Sequence, residues 1–120
     1  MKMTLTARRI LMTTTFALAV AGTSMPAAGQ DAAAIKHGQQ VYTAQKCQVC
    51  HAVAGKGNKS NPLDGVGTKL SAEDVRQWIT NPTEMTAKTK SAKKPPMPNK
   101  YSKLPVADID GLVAYVQSLK

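Results

Sequence analysis

The chain has little of what usually fills a protein core. Only 4% of its 120 residues are aromatic, and its single Phe, Phe16, lies near the amino terminus. From Gln30 onward there is no Phe, and Leu, Ile and Val together make up 16 of 91 residues. A share below about 20% with a high net charge is typical of disordered chains. The composition therefore predicts either disorder or a core that a buried apolar cofactor completes.

Long apolar runs are also scarce. One mostly apolar stretch, from Ile10 to Ala21, follows basic residues and precedes small ones. This order predicts a signal peptide over residues 1–29, cleaved after Gly29 with Ala27 at the −3 position. A membrane anchor is the alternative, although the stretch is short for a hydrocarbon core of about 30 Å. Residues 30–120 are then a single exported domain, in the periplasm or on the outer face of the membrane.

Cysteine and histidine are rare, and most of them cluster. The chain has two Cys and two His, and three of these four lie within Cys47-Gln48-Val49-Cys50-His51. C-x-x-C-H is the haem-attachment signature, in which the thiols form thioethers to one haem and the adjacent His is the proximal iron ligand. The motif therefore predicts one covalently bound haem c, held by Cys47 and Cys50 with His51 on the iron.

Three other interpretations of the motif remain open. A thioredoxin-like dithiol also uses C-x-x-C, but it requires a βαβ setting, and no strand is predicted before Cys47. A structural zinc site needs four ligands, and His37 lies too far from the motif for zinc-finger spacing. A disulfide across two residues would be strained and would close a negligible loop.

Methionine narrows the choice of the second axial ligand. Of six Met, only Met85 and Met97 lie beyond the predicted signal peptide. Met97 lies in Lys94-Pro95-Pro96-Met97-Pro98, where three prolines fix the backbone φ angles and stiffen the segment. Such a stiff segment can hold a soft ligand at the iron, so we predict Met97 as the distal ligand. Thioether ligation raises the potential of such haems. The alternatives are Met85, which could simply pack, and His37, which could be an exposed helical residue.

Three segments have the spacing of apolar residues that is typical of helices. Ser71 and Asp74 form a capping box at the start of the second segment, and Asn81-Pro82 ends it. No segment alternates with a period of two, so we expect loop from His51 to Thr68 and essentially no sheet. The predicted helices are 32–46 with Asp31 as its N-cap, a short helix after Ser71, and 105–119.

Residues 32–120 resemble a class I cytochrome c, in the small bacterial form of that family. Gly38 and Tyr42 are similar to the Gly and the aromatic residue of the family's first helix. Leu112 and Tyr115 are similar to the Leu and the aromatic residue of its last helix. The resemblance implies an all-α cytochrome c fold of about three to five helices around one haem. It also implies that the first and last helices cross, with Gly38 permitting close contact.

The resemblance also implies roles outside the attachment motif. Pro62 resembles the loop proline whose carbonyl accepts a hydrogen bond from the iron-ligating imidazole, which fixes the tautomer and ring angle of His51. Asn61 stands where a Gly is common in the family. Trp78 could donate its indole N–H to a haem propionate, or it could simply pack. Met97 with Tyr101 after it resembles the segment that supplies the methionine ligand.

The positive charge is concentrated in one segment. The chain has 16 basic and 7 acidic residues, and without Lys2, Arg8 and Arg9 the balance is 13 to 7, or +6. No carboxylate lies between Glu84 and Asp108. The six lysines of this segment are Lys88, Lys90, Lys93, Lys94, Lys100 and Lys103.

These lysines, which we call the lysine segment, predict a surface that docks an acidic redox protein near the haem edge. A plain solvated face is the alternative. The predicted export and the lack of a recognition motif argue against nucleic acid as a partner, despite the basic composition.

Two strong axial ligands would leave the iron no open site, so the sequence predicts an electron carrier rather than an enzyme. Outer-sphere transfer of single electrons between partner proteins of a periplasmic or respiratory chain is the predicted function. The alternatives are a haem c subunit of a multi-protein dehydrogenase and, if Met97 does not bind, a five-coordinate haem enzyme or small-ligand binder.

Overall fold

The structure, a computed structural model, describes residues 27–120, with side chains from Asp31 onward. The predicted signal peptide lies outside the described residues except for Ala27–Gly29, which begin the first helix. That helix continues through the predicted cleavage point after Gly29, and the cleavage stays a prediction. Within the described residues, no helix is both long enough and apolar enough to cross a membrane.

Helices dominate residues 27–120, which confirms the all-α expectation. The amino-terminal helix and the carboxy-terminal helix are the longest, and two single 3₁₀ turns lie between them. We call Cys47–Val49 the cysteine turn and Asn99–Lys103 the tyrosine turn. The five α-helices are α1 Ala27–Ala44, α2 Val66–Lys69, α3 Ala72–Thr80, α4 Pro82–Thr89 and α5 Val106–Ser118.

Two helix starts show how local residues act. The predicted capping box begins α3, where Ser71 Oγ accepts from the Asp74 N–H at 3.0 Å and Asp74 Oδ2 accepts from the Ser71 N–H at 3.4 Å. Asp31, in contrast, was expected as the N-cap of the first helix, and this is wrong because α1 already begins at Ala27. Asp31 lies inside the helix, where it caps nothing.

Three features differ from the sequence prediction, and one of them is α2, which begins at Val66 within the predicted loop. Asn81-Pro82 ends α3 as predicted, but Pro82 also starts α4, since a proline fits the first helical position, where no N–H is needed. A minimal antiparallel hairpin pairs β1 Ala52–Val53 with β2 Lys56–Gly57. Its two-residue turn has φ of 50° at Ala54 and 76° at Gly55, as a primed hairpin turn requires. Strands of two residues are too short to give a periodic signal.

The core forms where α1 crosses α5. A Cβ on Gly38 would collide with the carbonyl of Gly111, and a Cβ on Gly111 would press on the Gly38 backbone at 3.0 Å. Both helices therefore approach at glycine, which confirms the role expected for Gly38. One turn away the rings of Tyr42 and Tyr115 pack edge to face, with centroids 5.5 Å apart.

Helix α3 completes the core against α5. Two side-chain pairs connect α5 to its neighbours: His37 of α1 lies 2.8 Å from Asp108, and Arg76 of α3 pairs with Asp110. The end of α5 is held against α2, where the Gly67 N–H donates to the Leu119 carbonyl at 2.9 Å. The buried cluster is Val41, Tyr42, Val75, Ile79, Ile109, Leu112, Val113, Tyr115 and Val116.

Candidate haem site

The attachment motif lies in a compact turn directly after α1. Lys46 has a left-handed backbone, φ 56°, which breaks the helix and leads into the cysteine turn. The N–H groups of Cys50 and His51 both donate to the Cys47 carbonyl, at 3.1 and 2.9 Å. This shared acceptor keeps the two cysteines and the histidine in one short loop, as attachment to one porphyrin requires.

The chemistry of the cysteines argues against a redox dithiol. Both thiols are free, with Cys47 half-buried and Cys50 exposed. Burial, aided by the neighbouring Cys50, raises the pKa of the Cys47 thiol to about 11, against the opposing effects of its own backbone and of Lys100. A catalytic dithiol needs a lowered thiol pKa and a strand before the motif. Here a helix precedes the motif, and the described residues contain no group of three or more His, Cys, Asp or Glu placed to hold a metal ion.

The imidazole of His51 is half-buried and held from one side. Its Nδ1 lies 3.3 Å from the carbonyl oxygen of Asn61 and 3.1 Å from Nδ2 of the same residue. Burial lowers the pKa of His51, and the Asn61 carbonyl only partly opposes this effect. Burial thus favours the neutral form of the ring, and a neutral imidazole can donate a lone pair to a metal through Nε2.

In the structure the carbonyl oxygen beside His51 Nδ1 is that of Asn61, at 3.3 Å, and the role expected for the Pro62 carbonyl stays a prediction. The Ala52 N–H donates to the Asn61 carbonyl at 3.3 Å, and the Leu63 N–H donates to the Ala52 carbonyl at 2.8 Å. These bonds form a parallel bridge between Ala52 and Pro62. The Asn61 carbonyl thus lies 3.3 Å from both the Ala52 nitrogen and His51 Nδ1.

Contacts that the sequence did not reveal hold the backbone of the motif. The Asn58 N–H lies 3.1 Å from both the Gln48 and His51 carbonyls, and the Tyr42 hydroxyl donates to the His51 carbonyl at 3.3 Å. Gly57 has φ 106°, and a Cβ there would collide with the same His51 carbonyl. The closely spaced Gly55 and Gly57 are the sequence signal that could have indicated this close approach.

The candidate distal ligands have different environments. Met97 is half-buried and packs against the core cluster together with Tyr101 and Leu104. Met85 is 5% exposed within α4, so protein atoms already enclose its side chain. The Nε2 of His37 is engaged by Asp108 at 2.8 Å. Among the three, Met97 is the residue whose donor atom is neither enclosed by protein nor paired.

Trp78 lies half-buried on α3, the helix that contacts the tyrosine turn just after Met97. Its contact with a haem propionate stays a prediction.

All six side chains of the lysine segment are exposed. Two ion pairs occur in the part of the chain that the structure describes, His37–Asp108 and Arg76–Asp110, and neither uses these lysines. Lys93 Nζ donates to the Ser60 carbonyl at 3.0 Å, and Lys100 Nζ lies 5.0 Å from the centre of the Tyr101 ring. The charge of Lys100 acts to lower the pKa of the Cys47 thiol, against the larger effect of burial.

The donor set fits haem c. Two free thiols and an imidazole share one turn, and half-buried apolar side chains surround the core beside them: Val53, Leu63, Leu70, Met97, Tyr101 and Leu104. The cytochrome c family model matches residues 35–120. The chain belongs to the cytochrome c family. Comparison with curated proteins and with solved structures gave no match.

Membership of this family establishes the cofactor and the general activity of the cytochrome. It implies a covalently bound haem c with its iron, and a role in electron transfer. Family members generally carry electrons rather than catalyse reactions on substrates. The thin Leu, Ile and Val content of residues 30–120 is thereby explained, because a haem supplies apolar volume that the side chains lack.

Proposed function

We propose that this cytochrome carries single electrons between redox proteins of an exported, periplasmic or respiratory chain. The observation that carries the proposal is the half-buried His51 imidazole, held at Nδ1 by Asn61 directly beside the two free thiols. In a cytochrome c domain, this arrangement leaves Nε2 to ligate iron.

Each residue of the site has a defined task in this proposal. Cys47 and Cys50 attach the haem through thioethers, His51 is the proximal ligand and Met97 is the distal ligand. The haem iron supplies reversible one-electron chemistry. With His51 and Met97 both holding the iron, no position would remain for a substrate or small ligand, and the haem would supply electron transfer alone. The Asn61 contact keeps the imidazole in one orientation in both oxidation states.

The lysine segment is proposed as the docking surface for an acidic partner. Its side chains are exposed and unpaired with carboxylates in the described residues, and Lys100 lies close enough to affect the Cys47 thiol. Charge complementarity of this kind speeds encounter and weakens as salt is added.

The ligand set is tested by spectroscopy of the matured protein. We expect its mass to include one haem, and we expect sharp visible bands on reduction. The oxidised protein should show the near-infrared band of methionine-ligated ferric haem. Met97→Ala should abolish that band, while the matched control Met85→Ala should retain it. The reverse result would move the ligand to Met85, and colourless protein would remove the proposal.

Carbon monoxide separates the carrier from the five-coordinate alternative. The reduced wild-type protein should not bind carbon monoxide at neutral pH, whereas Met97→Ala should bind it. Binding by the wild type would indicate an open iron site and would favour a ligand-binding or enzymatic function.

A further inference from the structure

Asn61 brings two polar groups to a single atom of His51. Its backbone carbonyl oxygen lies 3.3 Å from Nδ1, and the end of its side-chain amide lies closer, at 3.1 Å. A glycine, the residue common at this position in the family, would offer the carbonyl alone. The Asn61 side chain therefore adds a second contact to the one that its backbone makes.

The protonation of His51 determines what the amide must do. A neutral imidazole that binds iron through Nε2 carries its proton on Nδ1, which is then a donor. An amide nitrogen is also a donor, so it cannot satisfy this proton. Rotation of the amide by half a turn exchanges its oxygen and nitrogen, and this places Oδ1 opposite Nδ1. In the haem-bound protein the nearer of the two Asn61 groups is thus an acceptor.

Hydrogen bonds within the loop fix the backbone of Asn61. Asn58 Oδ1 accepts from both the N–H and the hydroxyl of Ser60, at 3.1 and 2.6 Å. The Asn61 N–H donates to the Asn58 carbonyl at 3.3 Å, and Pro62 restricts the backbone of the residue before it. Asn61 is itself partly buried. Water competes less for a contact that is both partly buried and fixed at its base.

We infer that the Asn61 side chain is a second hydrogen-bond acceptor for His51 Nδ1–H and lowers the reduction potential of the haem. A hydrogen bond that draws on this proton makes the imidazole more basic, and a more basic ligand favours the higher charge of ferric iron. Asn61 is in this sense a positioning and tuning residue that acts through His51. The inference rests on the proposed function only in that His51 is the iron ligand.

The reduction potential of purified, haem-loaded variants tests the inference. Asn61→Ala and the similarly shaped Asn61→Leu should both shift the potential to more positive values. Asn61→Asp keeps the shape with a stronger acceptor and should shift it to more negative values. Ser60→Ala is the control for loop loosening, because it removes the Ser60 hydroxyl contact to Asn58 without touching His51, and it should shift the potential much less than Asn61→Ala.

Hydrogen exchange gives a second readout that a purely structural role would not move. In the reduced protein, the His51 Nδ1–H signal in NMR spectra should exchange roughly fivefold faster in Asn61→Ala, as expected for losing one hydrogen bond. The Ser60→Ala control should exchange at the wild-type rate.

Three outcomes would overturn the inference. Unchanged potentials in Asn61→Ala and Asn61→Leu would show that the amide does not act on the iron. A shift in Asn61→Asp alone would assign the effect to charge. An equal shift in Ser60→Ala would assign it to loop stability. A failure of the proposed function would look different. Either the wild-type protein would lack haem, or the His51→Ala variant would have the same visible spectrum as the wild type.

Discussion

The α1–α5 crossing and the loop that supports His51 are organised by different kinds of contact. The crossing is apolar, and its decisive feature is the absence of side chains at Gly38 and Gly111. The loop is polar, and its decisive features are the hydrogen bonds that the Asn58 N–H donates to the attachment motif and the Asn61 carbonyl accepts from it. The first arrangement sets how stable the domain is, and the second sets how the proximal ligand is held. Substitutions in the two regions should therefore have separable effects.

The largest effect on stability is expected at the crossing. Gly38→Ala would place a Cβ against the Gly111 carbonyl, and we expect a loss of about 3 kcal/mol in the free energy of unfolding. Denaturant titration of the haem-loaded protein measures this loss, and the reduction potential of the folded protein should stay close to wild type. Gly55→Ala is the control: it has open space but φ 76°, and it should cost about 1 kcal/mol. Equal losses in the two variants would contradict the close approach.

A smaller loss of stability but a larger effect on the site is expected at Gly57. Gly57→Ala combines φ 106° with a collision against the His51 carbonyl, and it should cost about 2 kcal/mol. Because the strain falls on the backbone of the proximal ligand, the reduction potential of Gly57→Ala should shift more than that of Gly38→Ala. Voltammetry beside denaturant titration gives both quantities. If Gly38→Ala shifted the potential more, the division between the two regions would fail.

Tyr42 joins the two regions, since its ring lies in the crossing and its hydroxyl bonds the His51 carbonyl. Tyr42→Phe should cost about 1 kcal/mol through that one hydrogen bond. Burial raises the pKa of Tyr42 from 10.0 to about 12. The neutral form is thus favoured by folding, so this stability is fully present below pH 10 and is lost as the pH rises through 12. Ultraviolet titration of tyrosinate should show one group titrating near pH 12 that Tyr42→Phe removes.

The smallest effect is expected at the surface. Lys100→Gln should lower the rate of electron transfer to hexacyanoferrate(III), an anionic probe, by about twofold at low ionic strength. The difference should vanish at high salt, which stopped-flow measurements can follow. Lys36→Gln, on α1 and outside the lysine segment, is the matched control and should change the rate less. An equal effect of both variants would mean that only the net charge matters.

The helices and the attachment motif could be predicted because their signals are local. The Ser71–Asp74 capping box, the apolar stripe of 105–119 and the five-residue haem motif each lie within a few turns of chain. The loop could not be predicted in the same way. The Asn61 carbonyl reaches His51 next to a bridge between Ala52 and Pro62, and such a bridge depends on residues ten positions apart meeting in space.

Only one of the two glycines at the crossing was predicted, for a similar reason. Gly38 was predicted at the crossing because glycine is costly inside a helix. Gly111 was not predicted, because it lies within the clearest apolar stripe. Helix α4 was not predicted, because the Asn81-Pro82 pair is equally compatible with the end of one helix and the start of another. Local residues indicate that a helix stops at such a site, but packing of Met85 in the core decides that another one starts.

The partnership of the first and last helices also has a consequence for the order of events in synthesis. His37 and Asp108, which meet across the crossing, are 71 positions apart in the chain. As a chain emerges amino end first, α1 has no surface to pack on until nearly every residue has been made. During that interval the two thiols that follow α1 lie in unfolded chain. The topology thus leaves the cysteines reachable for haem attachment before the domain closes around them.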